Sequence, residues 1–181
     1  MPVLSAASAS EMVPALSTTP DPGVEGVRWA GPDDEAVCAE LCRKGLTEAQ
    51  ERRGGAILVR READLAGTAL LRPGGLRRLM SDPGRLAIVG TVDGVVVGLL
   101  VARLDDVRGT ALGVVELCYV EPEARGVGVG RALVDAAGSW ATERGCRGLD
   151  VPALPGDRAA KQLLEAAGFQ ARALVMHRRL P

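Results

Sequence analysis

The chain has 181 residues, 47% of them hydrophobic and 25% charged, and its 22 basic and 23 acidic side chains leave a formal net charge of −1. This is the balance of an ordinary globular domain, and it offers nucleic acid no excess of positive charge. Aromatics are 2% of the chain (Trp29, Trp140, Tyr119 and Phe169), so the core has to be built from Leu, Val and Ala, and base stacking has little to work with.

The four cysteines, Cys38, Cys42, Cys118 and Cys146, form no C-x-x-C pair, and His177 is the single histidine. Cys38 and Cys42 fall at i,i+4, which puts both thiols on one helix face as small buried hydrophobes. A zinc site needs better ligands at tighter spacing, so no metal is expected. Reduced thiols in a cytoplasmic protein are the simplest reading. The N-terminus has no basic start, and Glu11 and Pro14 interrupt its weak apolar stretch, so a signal peptide is not expected. No run is long and apolar enough to span a membrane.

In chain order, residues 1–23 are rich in Ala, Ser, Thr and Pro without a period, the composition of a flexible tail. A single domain is expected over 24–181. Val24 to Trp29 reads as a first strand. Pro32-Asp33-Asp34-Glu35 opens a helix, with proline and acids where the first turn favours them. Val37, Cys38, Leu41 and Cys42 give that helix a face, and Gly45 reads as its end. Residues 46–84 hold the apolar patch Ile57-Leu58-Val59 and the breakers Pro73-Gly74-Gly75; one or two short helices are expected, one over Leu76 to Met80.

From Arg85 the pattern clears. Leu86 to Val89 and Val95 to Val101 flank Asp93-Gly94, a hairpin signal because a type I′ turn needs positive φ at both central residues. A second turn near Asp106 to Gly109 leads to a strand over Leu112 to Val120. Ala132, Leu133, Ala136, Ala137, Trp140 and Ala141 then recur at helical spacing, with Gly145 as terminator. A strand over Gly148 to Val151 follows. Next comes a helix with Asp157 as N-cap and Ala160, Leu163, Leu164 and Ala167 on its inner face, stopped by Gly168. The alternation from Phe169 to Leu180 reads as a last strand. Strand, helix, strand implies a parallel pair with a right-handed crossover. The fold class is α/β with a mixed sheet, antiparallel first and parallel later.

The segment Val120-Glu121-Pro122-Glu123-Ala124-Arg125-Gly126-Val127-Gly128-Val129-Gly130-Arg131 is where chemistry concentrates. A strand ends, a glycine-rich loop follows and an amphipathic helix begins. Three alternate glycines let several N–H groups converge on one anion beside the positive end of the helix. Arg125 and Arg131 bracket the loop with positive charge, a combination suited to a pyrophosphate. The dinucleotide fingerprint G-x-G-x-x-G fails because Arg131 stands where its third glycine belongs, and no Gly-Lys-Ser/Thr completes a P-loop.

The spacing R-x-x-G-x-G of Arg125, Gly128 and Gly130 resembles the coenzyme A loop of the GNAT superfamily. The resemblance extends over about Arg85 to Leu180. The hairpin across Asp93-Gly94 is similar to the family's strands two and three, Leu117 to Gly126 to its fourth strand and exit, Leu149-Asp150-Val151 to its fifth strand, and Leu164 to Phe169 to the Gly-Phe ending of its fourth helix. It implies a three-layer α/β/α domain whose mixed, mostly antiparallel sheet is parallel at a splayed fourth and fifth strand. It also implies an acyltransferase that moves an acetyl group from acetyl-CoA to a primary amine, on a small molecule or a protein N-terminus, by direct attack. The alternative is a catalytically silent acyl-CoA-binding or sensing domain.

Carried residue by residue, the resemblance implies that the backbones of Cys118 and Val120, with Tyr119 between them, line the pantetheine. It puts the N–H groups of Gly126, Val127, Gly128, Val129, Gly130 and Arg131 on the pyrophosphate. Asp157 stands where the family often has a coenzyme A-contacting asparagine; aspartate only accepts, which weakens that contact. Two carboxylates are candidate bases: Glu116, four residues before Val120 and so expected on its face and opposite Tyr119, and Asp150 in Leu149-Asp150-Val151. The family's tyrosine acid is replaced by Leu164. The short stretch after Gly-Phe has room for one strand, whose open edge could pair with a second copy, so a homodimer is expected.

Overall fold

In the computed structural model, residues 26–62 and 69–178 are described; the tail expected over 1–23 lies outside them. The elements are β1 (Gly26–Trp29), α1 (Glu35–Glu51), α2 (Gly55–Glu62), α3 (Gly75–Met80), β2 (Arg85–Val92), β3 (Val95–Asp106), β4 (Ala111–Val120), α4 (Val129–Glu143), β5 (Leu149–Asp150) and α5 (Arg158–Ala166). They build one five-stranded sheet in the order β1-β2-β3-β4-β5. Every pairing is antiparallel except β4 with β5, which is parallel.

Two cores flank the sheet. On one face Cys38, Leu41 and Cys42 of α1 and Leu76 and Leu79 of α3 pack on Ala87, Val89, Leu99, Val101, Leu117 and Tyr119. On the other, Val129, Leu133, Val134, Ala137, Trp140 and Ala141 of α4 pack on Leu86, Ile88, Leu100, Ala102 and Val115, with Leu164 of α5 closing the layer. The expected three-layer α/β/α arrangement is therefore the one the apolar side chains produce.

Local chemistry explains the joints. Asp93 and Gly94 take φ values of 50° and 77°, the positive pair that a type I′ turn requires. Arg28 on β1 forks onto Asp34 at 2.6 and 2.9 Å, and the same carboxylate accepts the Gly31 N–H at 2.7 Å. That carboxylate fastens the start of α1 to the first strand.

Two expectations are corrected. Gly45 does not end the first helix, since α1 continues to Glu51. A Cβ at Gly45 would stand 3.0 Å from both Leu117 Cδ1 and Tyr119 Cβ, so the glycine lets helix and strand approach closely. Ile57-Leu58-Val59 lies in α2, one of the short helices expected over 46–84. The last strand expected from Phe169 onward is not formed: residues 169–178 are neither helix nor strand. A strand needs an edge to pair with, and β5, only two residues long, offers almost none.

The decisive irregularity is in β4. Val101 pairs with Leu117 and Ala102 with Val115, so Glu116 is one residue too many, a β-bulge. Leu117 and Tyr119 pack toward α1, whereas Val115 packs toward α4. Two residues apart on a regular strand would share a face; the bulge reverses them.

Candidate active site

β4 runs ten residues, but β5 pairs with it only at Gly113↔Leu149 and Val114↔Asp150. Beyond that point the two strands part, and residues 115–120 keep an edge that β5 does not cover. The Glu121 N–H donates to Val97 O on β3 at 2.8 Å. By antiparallel alternation the N–H and C=O of Val120 and Cys118 then turn the other way, toward the gap. Val120 O accepts Arg125 Nε from that side at 2.9 Å.

At the end of this edge the chain makes a short 3-10 turn, Pro122–Ala124, and enters the glycine loop. Gly126 and Gly128 have φ of 84° and 102°, a region that side chains with a Cβ rarely enter. Gly128 is the N-cap of α4, and the first helical bond runs from Ala132 N to Gly128 O at 3.0 Å. The N–H groups of Gly128, Val129, Gly130 and Arg131 therefore have no acceptor inside the helix. They sit at the positive end of a fifteen-residue helix whose first turn carries no acid. Gly130 faces α5, where a Cβ would lie 3.3 Å from Leu163 Cδ2. Val127, at the crest of the loop, is 46% exposed and open to an arriving ligand.

The two arginines do not bracket the loop as their positions suggest. Arg131 turns away from it, onto Asp135 at 2.7 Å and the Ala166 carbonyl at 2.9 Å. Arg125 bends back over β4. Its guanidinium meets both oxygens of Glu48, at 2.6 and 3.3 Å, and lies 5.6 Å from the centre of the Tyr119 ring. Glu48 also holds Arg52, which reaches Asp157 at 3.3 Å. A chain of alternating charge thus runs from the loop across the end of α1 to the start of α5. The Arg125 bond is the main influence holding the Glu48 carboxyl below its usual range, and Glu48 in turn raises Arg125. Asp157 is the N-cap expected of it, accepting Ala160 N at 3.0 Å.

The two candidate bases stand in different surroundings. Glu116 is carried by the bulge to the face of Tyr119, not of Val120, reversing the face expected from its spacing. Its side chain is 2% exposed, and its carboxylate lies 2.7 Å from Arg85 and 3.0 Å from Arg103. A buried carboxylate between two guanidiniums is a poor proton acceptor, because protonation forfeits both interactions. Asp150 sits at the fork where β5 leaves β4, one third exposed, paired with Arg172 of the C-terminal segment. Leu164, in the place of the expected acid, is packed into the core with α4. Burial pushes the Cys118 thiol up to about 12, so it is no thiolate near neutrality.

On the α1 face, Arg43, Lys44, Thr47, Glu48, Glu51 and Tyr119 line an open cleft. Lys44 there is bound to Glu121 at 2.6 Å, and the Tyr119 hydroxyl donates to the same carboxylate at 3.2 Å. Thr47, Glu48 and Glu51 lie beyond Gly45, where the sequence pattern suggests the helix ends, and so are not visible as part of a site. The i,i+4 pair Glu48–Arg52 was the available signal. No group of acids, histidines or cysteines suited to a metal occurs among the described residues, and no described helix is long and apolar enough to cross a membrane.

Comparison with known proteins bears directly on this arrangement. The profile of the Acetyltransferase (GNAT) family matches residues 74–169. Aminoglycoside N(6')-acetyltransferase type 1 of Stenotrophomonas maltophilia is 36% identical over 103 residues, 54% of this chain and 67% of that protein. AAC(6')-Iy, solved in complex with the bisubstrate analogue CoA-S-monomethyl-acetylneamine, superposes with a TM-score of 0.66 at 20% identity, over 87% of this chain and 99% of that one. Ribosomal-protein-alanine N-acetyltransferase from Brucella melitensis biovar Abortus 2308 gives 0.59 at 21% identity, over 87% and 100%. At these identities the two structures share the fold.

Proposed function

The chain belongs to the acetyltransferase (GNAT) family and is an N-acetyltransferase, and on that premise we propose that it takes acetyl-CoA as donor and acetylates a primary amine, on a small molecule or a protein N-terminus, by direct attack. The observation that carries this reading is the uncovered edge of β4 running straight into the unpaired amides of α4. An extended amide-bearing arm that ends in a diphosphate matches both parts: strand-like pairing along Cys118 to Val120, and N–H groups from Gly126 to Arg131 for the phosphates. The curated relative is an aminoglycoside acetyltransferase by name, which favours a small-molecule amine.

When bound, the donor supplies a thioester carbonyl open to attack and a thiol, a fair leaving group. The chain's own part begins with orientation. Backbone N–H groups on the β4 edge hold the arm and polarise the carbonyl. Asp150, at the fork of the strands, is the carboxylate assigned to relieve the amine of its proton, with the exposed Arg172 as a displaceable partner. Glu116 is assigned to holding the bulge. Asp157 is assigned to fixing the first turn of α5 beside the loop, both its oxygens being engaged. Burial, which pushes the Cys118 thiol up to about 12, disfavours the thiolate that an acyl-enzyme needs, and this supports one-step transfer.

Residues 24–181 are taken as the acyltransferase domain. A homodimer remains part of the proposal, supported by the exposed apolar side chains of Leu174, Val175 and Met176, at 76%, 76% and 82%. A cytoplasmic setting is part of the same proposal, being the compartment where cysteines are kept as thiols. The test is an amine panel, aminoglycosides and peptide N-termini included, incubated with acetyl-CoA and read by thiol release. Release above the amine-free rate, reduced at least tenfold in Asp150→Asn, is expected. No release with any amine would overturn the proposed acceptor class, and full activity in Asp150→Asn would remove the base.

A further inference from the structure

The cleft beside β4 is lined by Arg43 and Lys44, and a further cation, Arg125, reaches its Glu48 and Tyr119. Arg125 lies with its guanidinium against both oxygens of Glu48, at 2.6 and 3.3 Å, and 5.6 Å from the Tyr119 ring centre. A carboxylate and an aromatic face converging on one point form a site for an organic cation. Glu48 and Tyr119 also belong to the lining of the open cleft on the α1 face. The same arginine lays its Nε on Val120 O at 2.9 Å, occupying an acceptor on the edge proposed for the donor. Arg125 thus fills two places at once: a backbone group of the donor edge and the cation site of the cleft.

From this geometry we infer that Glu48 and Tyr119 are the binding site for the acceptor's ammonium group, and that Arg125 plugs it until the donor arrives. The inference rests on the proposed use of the β4 edge and the glycine loop by acetyl-CoA. An arm pairing along β4 competes with Arg125 for Val120 O, and a diphosphate at the loop offers the guanidinium a stronger anion than one carboxylate. Once Arg125 moves to the phosphates, Glu48 loses its partner at 2.6 Å while Arg52 still holds the other oxygen. The vacated place takes a primary ammonium, which keeps the local charge balanced. Donor binding therefore prepares the acceptor site, and the two substrates bind in that order with positive coupling.

The pair is partly exposed, 42% at Arg125 and 31% at Glu48, so its loss changes donor affinity by a modest factor. Glu48→Gln removes the anion that restrains Arg125. Calorimetric titration with coenzyme A alone should show Glu48→Gln binding about fivefold tighter than the parent, the factor that ~1 kcal/mol gives. Glu40→Gln, which removes an exposed acid of α1 paired with Arg43, should bind as the parent does. In an Arg125→Ala background the Glu48 substitution should have no effect on coenzyme A affinity. A merely structural role for Glu48 predicts the opposite sign, weaker binding with a lowered melting temperature, and that result or an unchanged Kd overturns the inference. With the best amine from the panel, Glu48→Gln should raise the amine KM at least tenfold and leave kcat within threefold. An unchanged KM overturns the cation site. If coenzyme A bound neither the parent nor any variant, the donor reading itself would fall, which is a different result from parent and Glu48→Gln binding coenzyme A equally well.

Discussion

Glu116 and Arg85 meet at 2.7 Å across β2, β3 and β4, with the Glu116 side chain 2% exposed and Arg103 closing the other oxygen at 3.0 Å. The contact exists because the bulge turns Glu116 onto the same face as the two arginines. It holds a β4 residue where the strand changes face, just before the uncovered edge begins.

Removing that carboxylate takes away the buried anion between the two guanidiniums and leaves them only the more exposed Asp82 and Asp105, at 3.8 and 2.9 Å. Both arginines keep some solvent access, 24% at Arg85 and 20% at Arg103, so the loss lies at the low end of the range for broken buried pairs. Glu116→Gln should lower unfolding stability by about 3 kcal/mol, read as a shift in the urea midpoint. If Glu116 were the base instead, the variant would keep its stability and lose turnover.

The glycine loop makes a sharper prediction about binding than about folding. Gly128→Val forces a branched side chain into a φ of 102°, at a local cost of roughly 1–2 kcal/mol. Relaxing that strain turns the amides of Gly128 to Arg131 away from one another. Coenzyme A affinity should fall at least tenfold by calorimetry, while the variant still unfolds cooperatively.

Asp34 supplies a pH dependence. The Arg28 hydrogen bond, the largest influence on it, holds its carboxyl below the usual range in the folded chain. A depressed folded pKa adds stability above the unfolded value, about 3.9. That stability is lost as the pH falls below about 4 and on through the folded pKa. Asp34→Asn should therefore be about 2 kcal/mol less stable than the parent near pH 7, by the worth of charged hydrogen bonds. The gap should shrink once the parent carboxyl is protonated. Urea unfolding of both proteins at pH 7 and pH 3 checks the sign.

Leu164 invites the attempt to restore a tyrosine acid. The side chain is 8% exposed and packed against α4, so a phenol there has to enter a filled core. Leu164→Tyr should cost about 1–3 kcal/mol through overpacking and should not raise kcat. A gain in kcat without loss of stability would mean that α5 can rotate its face toward the donor.

What the sequence made legible follows from the range of each signal. The Asp93-Gly94 turn, the N-cap at Asp157 and the glycine loop are local chemistry, complete within a few residues, and all three stand where local rules put them. Glu116 was assigned to the wrong face because nothing near it marks a bulge; the extra residue is visible only against Val101 and Ala102 of the neighbouring strand. Gly45 was mistaken for a helix end because its reason is a close approach to Leu117 and Tyr119, more than seventy residues on. That error hid Glu48 and Arg52, and with them much of the cleft. The alternation after Phe169 was real, but alternation specifies a strand only when an edge is available to receive it.

The order of the sheet also bears on how the chain folds. β2, β3 and β4 are joined by tight turns and lie side by side in sequence order, so their pairing closes only short loops and is kinetically cheap. β1 reaches β2 across more than fifty residues, and β5 reaches β4 only after the whole of α4. The three-strand meander is thus the natural nucleus, and the parallel contact at Gly113 and Val114 a late addition. The gap between β4 and β5 is then closed at one end by the last and shortest pairing to form, so opening at that end is the first step expected when the domain begins to come apart.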